Sequence, residues 1–228
     1  MNIRTKWMAA AAAIAVSLVN SAAVAQPVLR ITEIWAGQEA ADLTVDWFEL
    51  TNIGNTAWVA GTSPVLTVND SGGALTTDDL VEGLADILPG ESAIILMEGT
   101  ATDKQTFFNV WNPVKPQLLL ANIGYADGVP DGGLGLSATG DGIRVWLNDV
   151  LQDSKDYNNP PSGVSWDVLL SAYSSVNNAA GARATLALND AGEPAVGSPG
   201  TIRPIPEPTT LLLLVLGVAA AVVRLRRR

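Results

Sequence analysis

Short apolar runs separated by turn-forming residues make up the middle of the chain. In several runs apolar and polar residues alternate, which is the pattern of a strand with one buried face. Between positions 46 and 52, Phe48 and Leu50 fall on one side, and Glu49 and Thr51 fall on the other. Strands are predicted at residues 28–35, 46–52, 65–68, 92–97, 142–147, 151–157 and 184–188. Many short strands divided by Gly-rich turns predict an all-β fold, an antiparallel β-sandwich.

Two segments depart from the strand pattern. Residues 102–111 are predicted to form a short helix, because Phe107, Phe108 and Trp111 have helical spacing. Residues 189–206 are rich in Pro, Gly and Ala and are predicted to be a closing segment and linker.

The first 25 residues are typical of a secretory signal peptide. Arg4 and Lys6 precede an apolar, Ala-rich run at residues 8–19, and Ala23 and Ala25 form a small-x-small cleavage site. An uncleaved anchor helix is the alternative, although the run is shorter than the roughly 20 residues that a membrane span needs. We therefore predict an N-terminal signal helix, export through the secretory translocon, and cleavage by signal peptidase that leaves Gln26 as the mature N-terminus.

The last 25 residues have three parts. Pro206, Glu207 and Pro208 come first, and an apolar run follows at residues 211–223. The two prolines keep the chain extended around Glu207, a shape that suits an enzyme's binding cleft. At 1.5 Å per residue a helix of the apolar run falls short of a hydrocarbon core of roughly 30 Å. The basic end, with Arg226, Arg227 and Arg228, favours retention on the cytoplasmic side of this short transmembrane helix.

This order of parts resembles the PEP-CTERM sorting signal of Gram-negative bacteria. The resemblance implies that residues 204–228 are recognised by an exosortase-type membrane protease that cuts near the motif, and it implies an exopolysaccharide or biofilm setting. A simple C-terminal membrane anchor with a chance Pro-Glu-Pro linker is the alternative.

Charge and composition narrow the chemistry of the part between the two ends. Residues 26–208 hold all 23 acidic residues and seven basic ones, a formal charge of −16. A domain this acidic is repelled by phosphate backbones, so no nucleic acid partner is expected. The chain has neither Cys nor His, which excludes disulfides, Cys–His and Ser–His–Asp catalysis, and zinc sites that need thiolate or imidazole ligands.

Residues 26–203 are predicted to form one domain, and several short motifs in it resemble a lamin-tail domain. The motifs are residues 29–34, 46–54, 88–91, 136–137, 140–145 and Gly197-Ser198-Pro199-Gly200. This resemblance implies an immunoglobulin-like β-sandwich, used in secreted bacterial proteins as an accessory module. The acidic insertion at 71–86 and the long segment at 156–182 depart from that pattern, so loop functions do not carry over.

Three sets of side chains are candidates for chemistry. Glu33 and Glu49 are predicted to face each other across the first two strands. A carboxylate pair of this kind can hydrolyse glycosides, and it can equally be held by loop backbone amides.

The other two sets are acidic loop residues and tryptophans. The acidic residues Asp127, Asp131 and Asp141 lie in Gly-rich loops that could gather around calcium, although solvated turns are the favoured interpretation.

Six tryptophans fall within the domain, and exposed indole faces can stack on sugar rings. Packing in the sandwich core is the favoured interpretation for Trp47 and Trp146. Trp111 and Trp166 are the better candidates for exposure.

Together these patterns predict a non-enzymatic protein of the cell surface or extracellular matrix. We expect no catalytic residue, no metal site and no cofactor, with calcium kept as an open possibility. The expected partners are signal peptidase, the translocon, an exosortase-type protease, exopolysaccharide and, transiently, the inner membrane. The alternative function is an extracellular metal-assisted hydrolase of polysaccharide or phosphodiester bonds.

Overall fold

The computed structural model describes residues 26–36, 44–70, 80–126, 134–137, 139–158, 161, 163–174, 185–188 and 194–200. Its strands are β1 (Leu29–Trp35), β2 (Trp47–Asn52), β3 (Leu66–Asn69), β4 (Ser92–Met97), β5 (Ile123–Ala126), β6 (Asp141–Leu147), β7 (Val150–Tyr157), β8 (Trp166–Asp167), β9 (Ala172–Tyr173), β10 (Thr185–Leu188) and β11 (Pro194–Gly197). One α-helix, α1 (Ala101–Trp111), and a 3-10 turn at Leu120–Asn122 lie between β4 and β5. All seven predicted strands and the predicted helix are therefore confirmed, with ends shifted by at most one residue.

The strands form three sheets. A six-stranded sheet has the order β5-β4-β2-β1-β8-β9, a three-stranded sheet has the order β3-β6-β7, and β10 pairs with β11. The expectation of a wholly antiparallel fold is wrong at one place, because β4 and β5 are parallel. Parallel neighbours need a crossover connection, and α1 provides it here. The immunoglobulin-like version of the sandwich stays a prediction.

The six-stranded sheet buries both of its faces. On one face, Ile34, Phe48 and Ile95 belong to an apolar cluster that also contains Val68 and Val145 of the three-stranded sheet. On the other face, residues one position along in the same strands form a second cluster with α1 and β11. Its buried members are Trp35, Trp47, Ile94, Leu96, Phe107, Trp111, Leu118, Ile123 and Ala195. Successive side chains of these strands therefore point alternately into the first and the second cluster. Neither face of the sheet is the solvent-exposed face that the alternation predicts.

Helix α1 begins at a capping box. The Thr100 side chain accepts from the backbone N–H of Asp103, while the Asp103 side chain accepts from the backbone N–H of Thr100. Reciprocal capping satisfies donors that the first helical turn leaves free. Only Phe107 and Trp111 are buried on this helix, and both face the second cluster.

Side-chain contacts connect the two larger sheets at one edge, and isolated β-bridges connect them at the other. Asp153 of β7 is buried and accepts from the backbone N–H of Ile31 at 3.0 Å, on the side of β1 that faces away from β2 and pairs with β8 only at Glu33 and Ile34. Arg30 and Lys155 lie 3.4 and 3.7 Å from the same carboxylate. At the opposite edge, residues 80–87 form bridges to Thr67 and to Tyr125. The acidic insertion therefore ends in a segment that joins β3 to β5.

Tyr157 ends β7 in a half-buried position, with its hydroxyl group donating to the Ser137 carbonyl at 3.2 Å. Burial, followed by the charges of Asp141, Asp46 and Asp70, raises the pKa of Tyr157 above its ordinary value. A raised pKa in the folded state means that the folded chain holds the phenol proton more tightly than the unfolded chain does.

We expect the free energy of unfolding to fall as the pH rises above about 10, the ordinary tyrosine pKa, and to fall less steeply in Tyr157→Phe. One proton contributes at most about 1.4 kcal/mol per pH unit, and the half-exposed ring contributes less. Urea unfolding of both proteins between pH 8 and about 11.5 measures the two slopes. Equal slopes would show that Tyr157 is not the group responsible.

Among the described residues, no helix has the length and apolar character needed to cross a membrane. The predicted signal peptide and the apolar run at 211–223 both lie outside the described residues.

Candidate functional site

Glu33 and Glu49 occupy directly opposed positions on β1 and β2, as the sequence predicts. They lie beside the second cluster on the helix-covered face of the sheet. Their side chains are only 2% and 3% exposed, respectively. Buried carboxylates are stable only when charge partners or hydrogen-bond donors surround them. The contacts of this pair therefore decide which chemistry is open to it.

Glu33 is held by two serines from distant parts of the chain. Its Oε1 accepts from the backbone N–H of Ser198 at 2.7 Å, and its Oε2 accepts from the Ser198 hydroxyl group at 2.8 Å. The Ser165 hydroxyl group also donates to Oε1 and lies 2.8 Å from the Ser174 hydroxyl group. Ser165, Ser174 and Ser198 are all buried. Three donors thus converge on one carboxylate that has almost no contact with solvent.

Glu49 has a parallel arrangement. Its Oε1 accepts from the Thr32 hydroxyl group at 2.7 Å, and its Oε2 accepts from the backbone N–H of Gly200 at 2.8 Å. The Thr32 hydroxyl group lies 3.0 Å from that of Thr51, which in turn lies 2.7 Å from the Ser92 hydroxyl group. A chain of buried hydroxyl groups therefore runs from Glu49 across β2 to β4.

The segment Gly197-Ser198-Pro199-Gly200, which we call the clasp, joins the two carboxylates. A Cβ atom on Gly197 would lie 3.2 Å from Ser165 Oγ and 3.3 Å from Glu33 Oε1, so a larger residue would press on the site. Gly200 has φ +69°, a left-handed conformation that glycine adopts without strain. The prediction of a closing segment and linker at residues 189–206 is wrong in its linker part for residues 194–200, because these residues form β11 and the clasp.

Aromatic rings fill the space next to the clasp. Trp35 and Trp47 stack with ring centroids 5.8 Å apart, and Trp111 meets both of them nearly at right angles. None of the three indole N–H groups has a hydrogen-bond partner among the described residues, so ring packing holds this group together.

The exposure predicted for Trp111 is wrong, since only 1% of it is accessible. The helix places it under the sheet, beside Phe107. Trp47 lies in the core as expected. The core packing predicted for Trp146 is wrong, because Trp146 is half-buried and belongs to neither cluster, and Trp166 is half-buried against the first cluster. Trp166 packs against Tyr173 at 4.8 Å. All six tryptophans of the domain are thus buried or half-buried.

The acidic loops can be followed only in part. Asp127 and Asp131 lie outside the described residues, whereas Asp141 begins β6 and accepts from the backbone N–H groups of Ser137 and Gly142. Within the described ranges, no three acidic side chains come together in a way that could hold a metal ion. Calcium binding stays a prediction.

A cavity of about 610 Å³ lies away from the carboxylates, between the loop after β2 and residues 80–84. Trp58, Val65 and Leu80 supply apolar lining, and Thr62, Ser63 and Glu82 supply polar groups. Nothing in the sequence pattern singled out this cavity, because its walls come from loops without regular periodicity.

The carboxylate pair binds the clasp through hydrogen bonds, and this arrangement differs from the one that a glycosidase needs. A glycosidase needs one carboxylic acid next to the leaving oxygen and a second carboxylate that reaches the sugar or a water molecule. Here all four carboxylate oxygens of Glu33 and Glu49 accept hydrogen bonds from the protein, and both side chains are buried. The alternative of carboxylates held by loop amides describes the observed contacts.

Comparison with known families supports the interpretation of the C-terminal end. The family model of the PEP-CTERM protein-sorting motif matches residues 204–228. The chain carries a PEP-CTERM motif. The motif implies export and a membrane-anchored C-terminal sorting signal, and it contains Pro206, Glu207, Pro208, Arg226, Arg227 and Arg228. These residues, like Ala23 and Ala25, lie outside the described residues, so their individual roles stay predictions.

No curated protein and no solved structure matches the chain significantly. The lamin-tail resemblance is therefore carried by the short motifs alone and stays a prediction. The PEP-CTERM motif begins four positions after Gly200, the last residue of the clasp.

Proposed function

We propose that this protein is exported, sorted by an exosortase-type protease, and used at the cell surface or in the extracellular matrix as a non-enzymatic binding or structural module. The PEP-CTERM motif at 204–228 is the observation that carries the proposal. The setting suggested by the motif is an exopolysaccharide layer or biofilm.

The burial of Glu33 and Glu49 supports a non-enzymatic binding or structural role in preference to a hydrolase. A hydrolytic pair must reach water and substrate, and these two side chains reach neither without displacement of the clasp. The absence of His removes a common ligand of metal-dependent phosphodiesterases. If the module binds a ligand, the cavity beside Trp58 is the site that we would examine first.

The intact mass of the protein recovered from the surface and the medium of its native host tests the sorting part of the proposal. We expect a chain that starts at Gln26 and ends near residues 206–208. A mass that retains residues 211–228 would instead mean that the tail is a lasting anchor.

Replacing Pro206, Glu207 and Pro208 together with alanine should abolish tail removal and leave the protein in the membrane fraction. The physical reason is that the rigid extended backbone around Glu207 is lost. The control replaces Thr209 and Thr210 with alanine, which keeps the same spacing and should be processed normally. Normal processing of the triple variant would contradict recognition through Pro-Glu-Pro.

A further inference from the structure

The chain leaves the folded domain at a defined place. Gly200 is fixed by its hydrogen bond to Glu49, and a Cβ atom built on Gly200 would lie 3.1 Å from Leu118 Cδ1. Leu118 belongs to the segment between α1 and β5 and is itself buried. Gly200, the last described residue, therefore lies beside residues 112–122, four positions before the PEP-CTERM motif begins.

The segment at this exit, residues 112–122, differs in charge from the domain as a whole. Residues 112–122 contain no acidic residue, and the one basic residue, Lys115, is buried. Residues 26–208, by contrast, carry a formal charge of −16. The exposed side chains of the segment, which we call the exit face, are Pro113, Val114, Pro116, Gln117, Leu119 and Ala121.

Two aliphatic side chains stand out on the exit face. Leu119 is 57% exposed and Val114 is 43% exposed. Asp86 is an exposed acidic residue near this face, since its neighbour Ala85 donates a hydrogen bond to the Ala121 carbonyl. The Asp86 carboxylate, however, accepts from the backbone N–H of Ala60. This hydrogen bond ties the carboxylate to a different loop.

The tail limits how far the exit face can lie from the membrane. Eleven residue steps separate Gly200 from Leu211, where the apolar run begins, and a fully extended chain of that length spans at most roughly 40 Å. A tether of this length gives an effective local concentration on the order of millimolar. A contact too weak to hold a free protein on a lipid surface is therefore sufficient for a tethered one.

We propose that the exit face lies on the lipid surface of the membrane while the tail is in place, with Val114 and Leu119 at the level of the headgroups. The proposal rests on the membrane-anchored sorting signal described above. Bringing carboxylates against hydrocarbon carries a large desolvation penalty, so an acidic domain approaches lipid by its uncharged face. Removal of the tail removes the tether, and the exit face then separates from the membrane.

The absence of cysteine from the chain allows a direct test. Single cysteines at Val114, at Leu119 and at the control position Val150, which is 62% exposed on β7, can each carry an environment-sensitive fluorophore. The full chain is inserted by its tail into vesicles of phosphatidylethanolamine and phosphatidylglycerol. We expect acrylamide, an uncharged aqueous quencher, to quench the labels at 114 and 119 several-fold less than the label at 150. A quencher attached to the lipid should act on 114 and 119 alone.

Other outcomes contradict the proposal in distinguishable ways. Equal quenching at all three positions in vesicle-bound protein would overturn the docking and leave the anchored tail intact. Protection that increases with the protein-to-lipid ratio would identify a second copy of the chain as the occupant. Protection seen only in host membranes that contain the exosortase would identify the enzyme as the occupant. A full chain that does not float with vesicles would contradict the anchored tail itself, and the docking would fall with it.

Discussion

Replacing Glu33 with alanine is expected to lower the free energy of unfolding of residues 26–203 by about 3 to 5 kcal/mol. The change removes the acceptor for the Ser198 backbone N–H, the Ser198 hydroxyl group and the Ser165 hydroxyl group, all of which are buried. Donors left without an acceptor in the interior cost more than the hydrogen bonds themselves contribute. Urea unfolding followed by tryptophan fluorescence measures the loss.

Two further variants make the result specific. Glu33→Gln keeps the shape and one acceptor oxygen but turns an amide group towards the other donors, so an intermediate loss is expected. Glu82→Ala removes an exposed carboxylate and should change the free energy by less than about 0.5 kcal/mol. If Glu33→Ala costs no more than Glu82→Ala, the clasp does not depend on the carboxylate.

Replacing Trp111 with alanine is expected to cost a similar amount, about 3 to 5 kcal/mol. The indole ring is buried and contacts Trp35, Trp47 and Phe107, with centroid distances between 5.7 and 6.1 Å. Its removal leaves a cavity between α1 and the six-stranded sheet that the neighbouring rings cannot fill without moving. Thermal or urea unfolding measures the effect.

Trp166→Ala is the matched control, because Trp166 is also a tryptophan with an aromatic neighbour but is half-buried. It should cost clearly less than Trp111→Ala. The reverse order would place Trp111 at the surface, as the sequence pattern predicts, and would contradict the packing of α1 described above.

The longer strands were predictable because the residue pattern that defines each of them lies within a short, continuous stretch of the sequence. Apolar and polar residues alternate along β1 and β2, and β4 is a short continuous apolar run bounded by turn residues. The opposition of Glu33 and Glu49 follows once β1 and β2 are taken as antiparallel neighbours. The strands that were missed are two to four residues long. For β8 and β9, two residues are too few for any period to show.

The clasp and the aromatic group were not predictable by the same means. The hydrogen bonds of the clasp join residues 151 and 165 positions apart, so no window along the sequence contains both partners. One local signal was a run of small residues with two glycines, which indicates a linker equally well. The other was a short lamin-tail-like motif at residues 197–200, which does not indicate the partners of the segment. The spacing of Phe107 and Trp111 predicts a helix but not which surface covers it. That choice depends on the six-stranded sheet, which assembles from distant segments.

The clasp also sets the order in which an exported chain can complete its fold. In the secretory export that we predict, the chain crosses the membrane with its N-terminus first, so Glu33 and Glu49 arrive early and Ser198 and Gly200 arrive late. Until residues 198–200 have crossed, both glutamates lack donors that hold them in the finished interior. Contacts between such distant residues also form slowly. Completion of the clasp therefore coincides with the arrival of the PEP-CTERM motif, and a product that stops before Ser198 lacks the backbone donors that Ser198 and Gly200 supply to the two glutamates.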